Sequence, residues 1–382
     1  EGGSASGIWT LDQAADYESQ GLWPIPNIPR ELYAWGDNQA GELGQGNTTN
    51  YSSPVQVGAE TIWLKTASGG SHTLAVTTDG KLYAWGDNAP YGQLGQGNTT
   101  DYSSPVQVGA LTTWLQVAGG YAHSLAIKTD GTLWSFGRNF RGALGVGNIT
   151  NYSSPVQVGA LTTWSNVAAG QYYSLATKTD GTLWAWGDGD QGQLGQGNTT
   201  NYSSPVQVGS LTTWSKIAAG ADHTLATTTD GKLYAWGYNV FGALGVGNTT
   251  KYSSPVQVGA LTTWSDIAGG NYTSLAVKTD GTLWTWGYNN KGQVGDGSTV
   301  NKSSPVQVGA LTTWSKVAGG NTQSLAIKTD GTLWAWGNNN YGQLGQGNLT
   351  NYSSPVQVGA LTTWNVLAIG SLSFSSVATT KG

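Results

Sequence analysis

The chain has no cysteine and no methionine among its 382 residues, and charged residues make up only 10% of it. Without cysteine the fold cannot depend on disulfides. A large core makes disulfides dispensable in any compartment, so this absence leaves the localisation open. Because the first residue is Glu1 rather than methionine, we expect a processed chain or a fragment.

Long apolar runs and positive charge are also missing. No stretch of 18 apolar residues occurs, so we expect no insertion into a membrane. The formal net charge is −5 and there is no basic tail, which argues against a nucleic-acid partner.

What the chain has in abundance is a hairpin motif, seen clearly in residues 174–187. Gly181 follows Asp180 at a tight turn, where glycine adopts a positive φ without cost. On the outgoing strand Trp184 and Trp186 share one face, and Leu183 occupies the other. Both faces are apolar, which predicts a strand covered on both sides.

The motif occurs seven times at a spacing of 50 residues, or 51 in one case. Its copies end at Gly36, Gly86, Gly137, Gly187, Gly237, Gly287 and Gly337. One full repeat offers four strand candidates, at 114–118, 124–128, 132–137 and 154–158. Seven units of four antiparallel strands predict an all-β, seven-bladed propeller over residues 31–382, preceded by an arm of residues 1–30.

The register of the repeats predicts how the ring closes. The first unit starts at its third strand, residues 32–35, and the last unit ends after its second strand, residues 372–379. We therefore expect N- and C-terminal strands to share one blade, which removes the open edges.

The pattern Ala-Gly-Gly-x-x-His-Ser-Leu-Ala, followed by Asp-Gly-x-Leu and Gly-x-Leu-Gly-x-Gly, is complete in residues 118–147. It resembles the repeat of the regulator of chromosome condensation family, and the resemblance spans all seven units. It implies a seven-bladed propeller. That family includes an exchange factor for the GTPase Ran and a secreted inhibitor of β-lactamases, so fold alone does not set function.

The few residues suited to catalysis are scattered. His72, His123 and His223 occupy one repeat position, which Tyr173, Thr273 and Gln323 fill in other units. We interpret these histidines as hydrogen-bonding residues at strand ends. We expect no enzymatic activity, no cofactor and no metal site.

Two segments vary between otherwise nearly identical repeats: the one after the glycine pair and the one after Trp-Gly. In an antiparallel meander both lie at the hairpin end opposite Thr-Asp-Gly, on one face of the disc. Tyrosines supply rigid stacking surfaces there, and polar side chains supply hydrogen bonds. The predicted ligand-binding residues are Tyr91, Tyr121, Phe140, Tyr172, Tyr173, Asp188, Asp190, Tyr238, Phe241, Tyr272, Tyr288 and Tyr341.

The loops are also rich in Asn-x-Ser/Thr sequons. Asparagine and threonine are good loop formers, so the pattern alone does not require sugar. In a glycosylating secretory route the sites would be Asn47, Asn98, Asn148, Asn198, Asn248 and Asn348.

The arm carries apolar side chains with no place in the repeat. Trp9 and Trp23 bracket a short helical candidate, and Leu11 and Leu22 lie beside them. A segment containing these residues resembles structural and tail proteins of marine bacterial viruses. We expect the arm to dock, either on its own propeller or on a neighbouring subunit or domain.

The favoured interpretation is a non-enzymatic propeller that binds a cell-surface glycan or protein through its variable loops. It would be extracellular or on a virion surface, attached to an assembly such as a tail fibre. The alternative is a subunit of an extracellular filament that polymerises through the arm. A third class is a soluble inhibitor or exchange factor. Exchange on Ran is disfavoured, because the units leave no room for an inserted hairpin.

Overall fold

Each repeat folds into four antiparallel strands in the computed structural model, which describes residues 30–381. Seven such sheets surround a central axis, which confirms the all-β, seven-bladed propeller. The single helical segment in this range is the 3-10 turn Phe140–Gly142. No helix between residues 30 and 381 is long and apolar enough to cross a membrane.

The strands are named in chain order and grouped here by their place in a blade. The innermost strands are β3 Trp63–Ser68, β7 Trp114–Gly119, β11 Trp164–Ala169, β15 Trp214–Ala219, β19 Trp264–Gly269, β23 Trp314–Gly319 and β27 Trp364–Ala368. The second strands are β4 His72–Thr77, β8 His123–Lys128, β12 Tyr173–Lys178, β16 His223–Thr228, β20 Thr273–Lys278, β24 Gln323–Lys328 and β28 Ser375–Thr380. The third strands are β1 Leu32–Gly36, β5 Leu82–Gly86, β9 Leu133–Gly137, β13 Leu183–Gly187, β17 Leu233–Gly237, β21 Leu283–Gly287 and β25 Leu333–Gly337. The outermost strands are β2 Tyr51–Gln56, β6 Tyr102–Gln107, β10 Tyr152–Gln157, β14 Tyr202–Gln207, β18 Tyr252–Gln257, β22 Lys302–Gln307 and β26 Tyr352–Gln357.

Blade 1 consists of β3 to β6, and each following blade takes four consecutive strands up to blade 6, which ends with β26. Blade 7 consists of β27, β28, β1 and β2, so strands from both ends of the chain complete it. Leu32 of β1 lies opposite Thr379 of β28. This confirms the predicted closure. The last strand begins at Ser375 rather than at residue 372, because the Ser373 N–H turns back to the Gly370 carbonyl at 2.8 Å.

Local chemistry explains the hairpin between the second and third strands. Gly181 has a φ of 75° and its N–H donates to the Lys178 carbonyl at 3.0 Å. The Asp180 carboxylate accepts the Thr182 N–H at 2.9 Å, which stabilises the turn in the manner of an Asx motif. Leu183, Ala185 and Trp186 are fully buried, as the pattern on both faces predicts.

The core lies between blades rather than within them. Trp186 of blade 3 packs against Leu125, Ile127 and Leu133 of blade 2. Its indole N–H donates to the Ala143 carbonyl of blade 2 at 2.9 Å, and the Ser174 hydroxyl donates to the same oxygen at 2.8 Å. Each blade therefore depends on its neighbour, and the ring holds only when the last blade meets the first.

The histidine position forms a second contact between blades. His72, His123 and His223 are buried, and each Nε2 lies 2.9–3.0 Å from a serine hydroxyl of the next blade. Burial lowers the pKa of His72 to about 3 and that of His123 and His223 to about 4. The imidazoles are therefore neutral near pH 7, and their hydrogen-bonding interpretation is confirmed.

Candidate binding face

The two variable segments of each repeat are joined by backbone hydrogen bonds. In blade 3 the Asp188 N–H donates to the Tyr172 carbonyl at 2.9 Å, and in blade 4 the Tyr238 N–H donates to Asp222 at 2.8 Å. The Thr-Asp-Gly turns bond instead to the connections between blades, as Thr179 does to Thr163 at 2.9 Å. The disc therefore has a variable face, built from these two segments, and an opposite turn face.

A buried asparagine shapes most of the long loops on the variable face. The Asn239 Nδ2 donates to the carbonyls of Asn248 and Thr250 at 3.0 and 2.8 Å, and its Oδ1 accepts the Leu244 N–H. Equivalent asparagines are Asn38, Asn88, Asn139, Asn289 and Asn339. This internal support holds the loop backbone, so the neighbouring positions can change without loss of shape.

The first aromatic cluster spans blades 1 to 3 and surrounds an arginine. Phe140 and Tyr172 meet edge to face at 4.8 Å, and Tyr121 meets Tyr172 at 5.7 Å. The Arg138 guanidinium lies 4.7 Å from the ring centre of Tyr91 and 5.0 Å from those of Phe140 and Tyr172. The chain itself thus supplies the cation that these rings would attract.

The second aromatic cluster spans blades 4 and 5. Phe241 is its centre, with Tyr288 at 4.5 Å, Tyr272 at 5.4 Å and Tyr238 at 6.2 Å between ring centres. These rings come from three different loops, and the packing of blade 5 against blade 4 brings them together. A smaller pair, Tyr341 and Phe374, lies at 5.3 Å between blades 6 and 7.

Acidic side chains separate the two large clusters. Arg141 pairs with both Asp188 and Asp190. Asp222 lies in the next blade, where burial and the Asp188 charge raise its pKa to about 6. An arc over blades 2 to 5 therefore presents aromatic surface on either side of Asp222 and the Arg141–aspartate ion pairs.

Tyr173 does not belong to this arc, and the prediction that it lies in a loop outside the blade packing is wrong. It is the first residue of β12 and is fully buried. Its hydroxyl donates to the His223 carbonyl, so it replaces the histidine contact of other blades. Asp188 is also mostly buried, at 8% exposure, and its carboxylate is paired with Arg141.

Sequence reasoning missed Arg138 and Arg141, although both stand in a variable segment. An arginine in a single copy of a variable segment gives no local signal for the stacking and pairing described above. It also missed Glu42, which is 3% exposed on the same side of the ring. Between residues 30 and 381 no group of three or more histidine, aspartate or glutamate side chains is arranged to hold a metal ion.

The sequon asparagines have structural partners. The Asn148 Nδ2 donates to the Tyr152 hydroxyl at 3.1 Å, and its Oδ1 accepts the Thr150 N–H at 2.8 Å. Asn98 and Asn248 repeat the tyrosine contact at 3.1 Å. Attachment of sugar would replace one of the Nδ2 protons, and glycosylation at these sites stays a prediction.

The predicted assembly residues Trp9, Leu11, Leu22 and Trp23 lie outside the described residues. The point at which the arm joins the ring is nevertheless defined. The Arg30 N–H donates to the Thr61 carbonyl at 2.7 Å, and the Trp63 N–H donates to the Arg30 carbonyl at 3.4 Å. In other blades the turn glycine, such as Gly231, takes this place, so the arm joins the disc at the turn face.

Comparison with known proteins agrees with this architecture. The Ultraviolet-B receptor UVR8 of Arabidopsis thaliana is 38% identical over 115 residues, which cover 29% of this chain and 26% of that protein. Protein RCC2 of Homo sapiens is 37% identical over 113 residues, covering 28% and 21%. The matched segments thus span about a quarter of the length of these curated relatives.

Two solved structures show the same fold over nearly the whole ring. Prp20p of Saccharomyces cerevisiae matches with a TM-score of 0.83 at 24% identity, covering 96% of this chain and 94% of that one. Human WBSCR16 matches with a TM-score of 0.81 at 23% identity, covering 92% and 99%. The RCC1-like domain matches residues 29–265 and 114–382, and the chain belongs to this family.

Proposed function

We propose that the protein is a non-enzymatic binding propeller that recognises a protein partner through the arc over blades 2 to 5. The observation that carries this proposal is the convergence of two aromatic clusters on either side of Asp188, Asp190 and Asp222. Aromatic anchors beside charged groups are typical of protein interfaces, where a few such side chains supply most of the affinity.

The chemistry favours a protein with basic and aromatic side chains over a glycan. The rings of the second cluster pack against one another at 4.5–6.2 Å, many of them tilted or edge to face, so few flat faces remain for a sugar. Asp188 and Asp190 are already paired with Arg141, which leaves Asp222 as the carboxylate of the arc for a basic side chain of the partner. The solved structure of Prp20p was reported with its binding to Gsp1p and histones, which supports protein recognition as a use of this fold.

Replacing Tyr172, Phe241 and Tyr288 with alanine is expected to weaken partner binding by at least about a hundredfold, because each loss removes an anchor from one of the two clusters. The partner is captured by the full chain from an extract of its source and quantified by mass spectrometry. A glycan array run in parallel tests the alternative ligand.

The matched control replaces three leucines of the turn face with alanine. They are Leu111, Leu211 and Leu311, which are 42–49% exposed. Both variants should unfold at the temperature of the parent. Equal loss of binding in the two variants would show that the variable face is not the site. Glycan binding that is lost in the variant without the three aromatic side chains would show that the ligand is a sugar and not a protein.

We propose as a second function that the arm anchors the disc in an assembly outside the cell, such as a virus tail fibre or an extracellular filament. The favouring observation is that Arg30 meets the ring at the turn face. An arm held there by a neighbour leaves the variable face free for its partner.

A chain reduced to residues 30–382 is expected to keep the folded ring and to lose assembly. The ring needs only β1 to β28 for closure, whereas the arm supplies the apolar side chains for contact. Electron microscopy and sedimentation velocity of both chains provide the measurement. Unchanged particles or filaments formed by the shortened chain would rule out the anchoring role.

A further inference from the structure

A groove opens on the rim of the disc where blades 4 and 5 meet, with a cavity volume of about 520 Å³. Trp264 and Trp284 form one wall, Leu261 and Pro305 border it, and Val246 contributes from the loop of blade 4. A similar groove between blades 2 and 3 measures about 290 Å³ and is lined by Val146 in the same place.

A groove of about 350 Å³ also opens between blades 1 and 2, where Gln96 stands in the place of Val246. The seam groove is therefore a feature of the repeat, and the substitution changes the chemistry of one wall. In four other seams a glutamine occupies the position of Val246, and its amide reaches the outermost strand. Gln45 donates to the Gln56 carbonyl at 3.1 Å, and Gln346 donates to Gln357 at 3.1 Å. Val246 makes no such bond, so an aliphatic side chain stands beside Val256 where those four seams place an amide.

A buried donor also lines this groove. Trp264 is 5% exposed, and its indole N–H, like that of the equivalent tryptophan in each other blade, has no hydrogen-bond partner between residues 30 and 381. The Lys278 ammonium lies 3.6 Å from the ring centre of Trp284 and 5.1 Å from that of Trp264. An occupant that matches this surface has apolar side chains and carbonyl oxygens that accept from these groups.

We propose that this groove binds a proline-rich peptide segment, and that its occupant is the segment of residues 22–29 from the arm of a second copy. The segment reads Leu-Trp-Pro-Ile-Pro-Asn-Ile-Pro, in which three residues lack a backbone N–H. Proline-rich segments dock in aromatic-lined grooves because their extended backbone is ordered before binding. The proposal deepens the anchoring role and rests on it.

The position of the arm favours a second copy as the source. Arg30 lies at the seam of blades 7 and 1, three seams from the groove around the ring. The seven peptide links from Trp23 to Arg30 span at most about 25 Å when extended. The four strands of a single blade already extend about 14 Å radially. The path from Arg30 around the disc to the groove is therefore longer than the arm segment can span.

The absence of native cysteine permits a direct test by disulfide trapping in the full chain. One chain carries Asn27→Cys, and a second carries Ala260→Cys at the mouth of the groove. On mixing under mild oxidation, we expect a disulfide-linked pair at least ten times more abundant than with Ser210→Cys. Ser210 is the equivalent residue beside a seam that contains Gln196. Adding Val246→Gln to the Ala260→Cys chain should abolish the excess without loss of folding, because four other seams carry glutamine there.

Equal trapping at Ala260→Cys and Ser210→Cys, or trapping insensitive to Val246→Gln, would overturn the groove as the docking site. If dilute chains carrying both Asn27→Cys and Ala260→Cys form only intramolecular disulfides, the proposal that the occupant comes from a second copy is wrong. The Tyr172, Phe241 and Tyr288 alanine variant should trap like the parent. If a chain of residues 30–382 loses assembly while trapping fails in the full chain, the anchoring role stands and only the groove is wrong.

Discussion

A chain that starts at residue 58 is expected to lose cooperative unfolding altogether. Its missing segment contains β1 and β2, without which β28 has no partner on its outer side. Leu32, Trp35, Leu43 and Val57, all fully buried, leave the clusters between blades 6, 7 and 1. Burial of about 1.5–3 kcal/mol for each large side chain gives a loss on the order of 10 kcal/mol. That equals the whole stability of a typical domain.

A circular permutant provides the control for this deletion. In the parent, Glu31 donates its N–H to the Thr380 hydroxyl, and the Thr380 N–H donates to the Glu31 carbonyl, so the two ends already meet as a hairpin. A chain of residues 58–381, Asp-Gly and residues 31–57 restores the turn found in the other blades. We expect it to unfold in one transition by calorimetry and chemical denaturation. A single transition of parental size in the deletion itself would show that the seventh blade is dispensable.

The substitution Glu42→Gln is expected to raise the free energy of unfolding by roughly 3 kcal/mol at pH 7, and by more at pH 9. Burial, together with the charges of Asp37 and Asp87, raises the pKa of Glu42 from 4.5 to about 8. The folded state therefore holds a proton that the unfolded state releases above pH 4.5. The destabilisation by Glu42 therefore grows between pH 4.5 and pH 8, levels off above pH 8, and vanishes below pH 4.5, where both states are protonated.

Sister blades indicate why glutamine fits this site. Gln93, Gln193, Gln293 and Gln343 occupy the equivalent position. The Gln93 amide donates to the Asp87 carboxylate at 2.9 Å, and Asp37 stands in the corresponding place beside Glu42. Urea unfolding of parent and variant between pH 4.5 and 9 gives the comparison.

The converse substitution, Gln93→Glu, is the matched control. It places a second carboxylate beside Asp87 and should destabilise the ring, increasingly so at high pH. Parallel pH profiles of the parent and Glu42→Gln would mean that Glu42 is ionised in the folded ring at little cost.

Much of this architecture followed from the sequence, because it depends on short-range periodicity. The alternation of side chains around Trp184 specifies strands, and the turn at Gly181 specifies hairpins. The repeat spacing of 50 residues specifies seven blades. The predicted strands in residues 114–158 lie within two residues of those observed. The offset of the repeats specified closure, and the meander placed both variable segments on one face.

What the repeat could not decide is the orientation of single side chains at the seams between blades. Tyr172 and Tyr173 are neighbours of the same type, yet one joins the aromatic arc and the other is buried against His223. The ionisation of Glu42, the stacking of Arg138 and the groove beside Val246 are likewise decided across seams. Their contacts join residues that lie tens of positions apart in the chain. Only the packing of one blade on the next brings such residues together, and no local pattern in the sequence records it.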